Sequence, residues 1–145
     1  MPSSRGAYGS VPRSTAGHVR EGFHTVTPYL QIQKASELLE FVKQAFGASE
    51  TFRTPESGAV RHAEVRIGDS MLMMGGFEGM PFDEMPTARH LYVEDADAAY
   101  RRALDAGAAS LQEPADQPYG DRTAYVKDPF GNVWYIATHK KDVLP

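Results

Sequence analysis

Two short runs hold the side chains best suited to chemistry. His62-Ala63-Glu64-Val65-Arg66 sets an imidazole, a carboxylate and a guanidinium at alternate positions, and His90-Leu91-Tyr92 adds a second imidazole and a phenol. Alternate residues of a strand share a face, so His62, Glu64 and Arg66 belong to one surface if Val65 and Ile67 pack inward. Two imidazoles and a carboxylate are the donor set of a facial metal triad. Without a metal, Glu64 and His90 are the candidate catalytic pair, able to exchange protons with a bound substrate. The plainer expectation is that His62, Glu64 and Arg66 form a hydrogen-bonded, charge-paired row, with His90 as a polar contact in a ligand pocket. The chain has no cysteine, which excludes thiol nucleophiles, disulfides, Fe–S clusters and thiolate zinc sites.

The same parity rule collects flat and adaptable side chains around these groups. If Val26, Leu30 and Ile32 pack on helices, Tyr29 and Gln31 point the other way, together with Thr27. Tyr92 follows His90, and Tyr135 faces opposite Trp134 and Ile136. Met71, Met73, Met74, Met80 and Met85 are five of the six methionines, and thioethers mould to flat partners. Tyr29, Gln31, His62, Met73, Tyr92, Tyr125 and Tyr135 are therefore the expected ligand-binding residues of an apolar-aromatic pocket. Met80 to Pro86 and Tyr119 to Arg122 are expected to be mobile lips over it.

Other chemistries fail on spacing. Gly75-Gly76-Phe77-Glu78-Gly79 lacks the Lys and Ser/Thr of a phosphate loop. No serine sits in a nucleophile elbow. Asp95 and Asp97 read as the start of a helix, where carboxylates cap and meet the dipole favourably. Asp121-Arg122 and Lys127-Asp128 read as turn formers and surface pairs. Fifteen Lys and Arg against nineteen Asp and Glu give a net charge of -4, which argues against nucleic acid as a partner. No apolar run approaches the roughly 20 residues of a membrane span, and no apolar h-region marks a secretory signal. The expected location is the cytoplasm.

The elements that must position these residues recur. Residues 1–21 are rich in Ser, Gly, Pro and Arg and read as a flexible N-terminal tail. Thr25 to Ile32 reads as a strand, with Pro28 marking an edge or bulge. Ala35 to Gly47 reads as a helix with a glycine stop, and Glu50–Phe52, Arg61–Ile67 and Ser70–Met74 read as strands. The second half repeats this: strand Arg89–Val93, helix Ala96–Ala106, extended stretches near Ser110–Glu113 and Thr123–Lys127, and strand Val133–Ile136. Gly47 and Gly107 are 60 residues apart, Val65 and Val126 are 61, and Gly68 and Gly131 are 63. Such spacing predicts one domain over residues 22–140, made of two βαβββ repeats at about 22–79 and 87–140. The alternative is an α+β sandwich with coincidental spacing.

His62–Ser70, Val93-Glu94-Asp95-Ala96-Asp97 before a helix, and Asp128-Pro129-Phe130-Gly131-Asn132 before a final strand resemble the glyoxalase/bleomycin resistance protein/extradiol dioxygenase superfamily, also called vicinal oxygen chelate, and within it the PhnB-like branch. The resemblance spans about Phe23 to His139. It implies an α+β fold in which two βαβββ modules form a curved eight-stranded half-barrel sheet with helices on the outside, in a homodimer. It also implies metal-ligand positions, which fall here on Thr27, Leu72, Ala88 and Tyr135. None of these four donates to a divalent ion as His or Glu does, so no metal or other cofactor is expected. The expected function is a metal-independent small-molecule binding protein that sequesters an apolar-aromatic ligand in a dimer cavity. The alternative is a lyase, isomerase or dioxygenase using a displaced His/Glu metal site or acid–base catalysis by Glu64 and His90. A third possibility is a dimerising module with no ligand.

Overall fold

The computed structural model describes residues 17–76 and 83–143. The chain divides into two compact units, one of residues 1–39 and 48–84, the other of residues 40–47 and 85–145. Each unit holds a four-stranded sheet. Part of the expected tail, and Met80 with its neighbours in the expected lip, lie outside the described residues.

In the first repeat, β1 (Tyr29–Gln31) is followed by α1 (Ala35–Phe46), β2 (Ser49–Thr54), β3 (His62–Ile67) and β4 (Ser70–Gly75), and the sheet order is β1-β4-β3-β2. β1 runs parallel to β4, and the other pairs are antiparallel. The expected strand from Thr25 shrinks to three residues. Met73 N–H donates to the Pro28 carbonyl, so Pro28 faces β4 but has no N–H to continue the ladder. Ahead of it Val26 is 81% exposed rather than packed on a helix. Leu30, Ile32, Leu38, Leu39, Ala63, Val65 and Met74 are fully buried or nearly so. Burial of each large aliphatic chain contributes roughly 1.5–3 kcal/mol.

The second unit repeats the order as β5 (Ala88–Tyr92), α2 (Ala96–Asp105), β6 (Ala109–Asp116), β7 (Asp121–Lys127) and β8 (Val133–His139), in a β5-β8-β7-β6 sheet with the β5–β8 pair again parallel. The two βαβββ repeats thus stand as expected from the glycine spacing. Asp95 caps α2, its carboxylate accepting from Ala98 N–H at 3.1 Å. Trp134, Ile136, Val126, Ala99 and Ala103 form the core. The Phe46 ring from the C-terminal turn of α1 packs 4.8 Å from Trp134, and Gly47 ends that helix at φ +68.

The two hairpins between the last strands of each repeat differ. β3 and β4 are joined by Gly68-Asp69, with Gly68 at φ +60. β7 and β8 are joined by Asp128 to Asn132, and here the sequence expectation of a surface pair is corrected. Asp128 is buried and accepts from Phe130 N–H, Asn132 N–H, Asn132 Nδ2 and Trp134 Nε1, all between 2.9 and 3.0 Å. A carboxylate surrounded by four donors is a structural hub, which the proximity of Lys127 in sequence disguised.

Candidate functional site

One face of the first sheet carries the polar candidates. Register pairs Tyr29 with Met73, Met73 with Glu64, and His62 with Gly75. Residues opposite one another, or two apart, point the same way, so Tyr29, Gln31, His62, Glu64, Arg66 and Met73 share this face while Leu30, Val65 and Met74 form the buried one. Leu72 pairs with Val65 and belongs to the core, so the metal position carried onto it falls on the wrong side. Its neighbour Met73 is the one on the polar face.

The expected row is only partly formed. His62 Nε2 is 3.0 Å from Glu64 Oε2, and His62 Nδ1 is 2.8 Å from the Tyr29 hydroxyl. A carboxylate only accepts, so Nε2–H donates to Glu64, while Nδ1 is paired with the Tyr29 hydroxyl. The guanidinium that meets Glu64 is not that of Arg66, which is exposed. Arg20 supplies it, with Nη2 at 2.6 Å from Oε1 and Nη1 at 3.2 Å from Oε2. Arg66 is only two places along β3 and points off the strand beside Glu64; a residue arriving from another segment can meet the carboxylate fork to fork. Arg20 lies in the stretch expected to be a flexible tail, and nothing in its spacing announced this contact.

Burial would push the Glu64 carboxyl upward, but hydrogen bonds and charge from Arg20 and His62 outweigh it, and the group sits below its ordinary value. The side chain itself is 0% exposed. Burial and the Glu64 charge together raise Tyr29, which keeps its proton. Phe52, across the ladder from Glu64, and Tyr29 place their rings 6.1 and 5.6 Å from His62. Gly75 makes room for this arrangement. A Cβ there would lie 2.6 Å from the Arg61 carbonyl oxygen and 2.7 Å from the Tyr29 hydroxyl.

The corresponding face of the second sheet is aromatic. His90 pairs with Tyr135 and Tyr135 with Tyr125. Ring centroids are 4.7 Å apart for His90–Tyr92, 6.0 Å for His90–Tyr135 and 4.8 Å for Tyr125–Tyr135. Tyr92 is 65% and Tyr135 39% exposed. Burial and the neighbouring Tyr119 hydroxyl raise Tyr125, so it too stays a neutral donor. The expected lip at Tyr119 to Arg122 is pinned. Lys140 and Lys141 N–H both donate to the Gly120 carbonyl, and His139 bridges Asp121 and Asp142 at 2.7 Å each. Arg122 forks onto Asp97 at 2.7 and 3.1 Å.

Each face retains a buried polar atom without a partner, Gln31 Oε1 on the first and Thr123 Oγ1 on the second. A cavity of about 120 Å³ beside β1 and β4, lined by His24, Val26, Thr27, Pro28, Ser70 and Met71, is well below the roughly 300 Å³ of a drug-sized site. Among the described residues no three His, Asp or Glu side chains come together as a metal-holding group. No helix among them is long and apolar enough to cross a membrane.

The family model for the Glyoxalase/Bleomycin resistance protein/Dioxygenase superfamily matches residues 18–136. An uncharacterized protein of Mycobacterium tuberculosis is 34% identical over 152 residues, covering 92% of this chain and 89% of its own. An Arabidopsis thaliana gene product of solved structure superposes with a TM-score of 0.64 at 28% identity, covering 79% of this chain and 98% of its own. TioX from Micromonospora sp. ML1 superposes with a TM-score of 0.67 at 24% identity, with the same coverage of 79% and 98%. At that identity TioX speaks for the fold alone.

Proposed function

Because the chain belongs to the Glyoxalase/Bleomycin resistance protein/Dioxygenase superfamily, we propose that it is a metal-independent member that sequesters a flat, apolar-aromatic small molecule and works as a homodimer. The observation behind this reading is the open aromatic face of the second sheet. A core sheet has no need to hold Tyr92 and Tyr135 in water, whereas a stacking platform does. Rings at these spacings accept an offset or tilted partner, each such contact contributing about 0.5–1.5 kcal/mol beyond its buried area. The first sheet, taken by itself, presents a phenol, an amide, an imidazole and a thioether from Tyr29, Gln31, His62 and Met73.

The metal-ligand positions carried over from the superfamily fall on Thr27, Ala88, Tyr135 and, by register, Met73 in place of Leu72. Ala88 has no donor atom, and Thr27, Met73 and Tyr135 offer neither an imidazole nor a carboxylate. The residues present do not fit a catalytic divalent ion, and no step of the function runs through one. The rival reading, proton transfer by Glu64 and His90, is disfavoured because both Glu64 oxygens already accept hydrogen bonds from Arg20 and His62.

Calorimetric titration with acridine and quinoline tests the reading. Saturable binding is expected, unchanged by EDTA and weakened about tenfold by Tyr135→Ala, the loss of about 1.4 kcal/mol. Light scattering should give twice the chain mass. Binding insensitive to Tyr135→Ala, or abolished by EDTA, would overturn it.

A further inference from the structure

Glu64 poses a problem that the proposed function leaves unsolved. It sits in the middle of the central strand β3, fully buried, where an unpaired charge is strongly unfavourable. The fold does not demand a carboxylate there. In the second repeat the equivalent ladder position, opposite Tyr135 as Glu64 is opposite Met73, is Tyr125.

Beyond His62 on its own strand, a guanidinium reaches it from outside sheet and helix. Arg20 belongs to the irregular segment ahead of β1, whose Phe23 N–H donates to the Arg20 carbonyl in a turn of its own. The Arg20 side chain remains 38% exposed. Its guanidinium lies between two recognition elements, the Glu64 carboxylate at its edge and the Phe23 ring 4.4 Å from its face. The carboxylate is aimed beforehand: His62 holds Oε2, and Tyr29 holds His62. A fixed carboxylate that takes two parallel N–H donors under an aromatic ring selects a planar forked cation over a compact ammonium ion.

We propose that Glu64 is the receptor of a binding site for small molecules bearing an amidinium or guanidinium group, and that Arg20 is its tethered occupant. Exchange of Arg20 for such a ligand conserves the buried ion pair and releases the side chain to water, so the displacement carries little electrostatic penalty. The tether acts as an intramolecular competitor at an effective concentration in the millimolar range. Ligand affinity is therefore lower in the intact chain than at the vacated site.

Benzamidinium is the probe, with benzamide as its neutral isostere and benzylammonium as its point-charge control. Arg20→Ala vacates the fork while leaving Phe23 in place. This variant is expected to bind benzamidinium at least tenfold more tightly than the parent by calorimetric titration. Its melting midpoint should rise saturably with benzamidinium and stay unmoved by benzamide, and benzylammonium should bind more weakly. Adding Glu64→Gln should abolish the response. Should Arg20→Ala fail to fold, Arg20→Lys keeps the charge without the fork and is expected to bind benzamidinium more tightly than the parent. The proposal is overturned if the folded variant binds no more tightly than the parent, or if the Glu64→Gln double variant responds equally. Acridine titration is unaffected by Arg20 in either case, so failure here is distinct from failure of the aromatic face.

Discussion

The two repeats place the same four ladder positions on one face of each sheet and fill them with different chemistry. Tyr29, Met73, Glu64 and His62 in the first answer to His90, Tyr135, Tyr125 and Thr123 in the second. The first set contains one buried charge, and that charge dictates its surroundings: Glu64 draws in His62, which fixes Tyr29, and recruits Arg20 from outside the repeat. The second set contains no carboxylate, and its rings pack on one another with Tyr135 open to water. Of the four differences, carboxylate against phenol at the β3/β7 position is the one that brings a guanidinium onto the first face and leaves a ring on the second. The lesson is that duplication preserves backbone register far more strictly than it preserves what the register presents.

The sharpest way to probe the contrast lies at the hairpins. Asp128→Ala removes the acceptor of four donors in the second repeat and is expected to lower stability in urea by about 3–5 kcal/mol. In the first repeat Asp69→Ala removes an exposed turn residue and should change it by less than about 0.5 kcal/mol. Equal effects would break the comparison.

Next in size is Glu64→Gln, expected to lower stability at neutral pH by about 1–3 kcal/mol. The folded-state value of Glu64 lies below its ordinary 4.5, so its contribution is complete above that pH and is lost as acid protonates the folded carboxyl. Urea titrations below pH 4.5 should therefore show a shallower acid slope in Glu64→Gln than in the parent. A parallel slope would mean that the ion pair does not distinguish the first face.

The smallest effect belongs to the second repeat. His139 is raised by its hydrogen bonds to Asp121 and Asp142, so its contribution is complete below the ordinary value of 6.5 and fades as pH climbs through the higher folded value. The melting midpoint should fall slightly over that window in the parent and stay flat in His139→Gln. A fall of equal size in both would clear His139 of any part in pinning the Tyr119 turn.

Much of this was legible in the sequence. Glycine spacing exposed the duplication because stops and hairpins require positive φ wherever they recur. Strand alternation placed Tyr29, His62, Glu64, Tyr92 and Tyr135 on their faces because the period of two is fixed by backbone geometry. Contacts that close over distance were not legible. Arg20 lies 44 residues from Glu64, and no local pattern connects an irregular segment to a strand. Asp128 was misread because the sequence shows its charged neighbour Lys127 but not that the indole six residues on folds back to it. Leu72 was misassigned because residues were counted from a glycine, and the two hairpins differ in length.

The indole hydrogen-bonded to Asp128 belongs to the only tryptophan of the chain. Its emission therefore reports on the unit of residues 40–47 and 85–145, where the Phe46 ring packs against it, and a ring this enclosed should emit toward the blue until that unit opens. Far-ultraviolet circular dichroism reads the backbone of both. Coincident melting curves from the two optical signals would mark the halves as one cooperative unit, whereas an early loss of ellipticity with the emission unmoved would mean that the half holding Arg20 and Glu64 comes undone first.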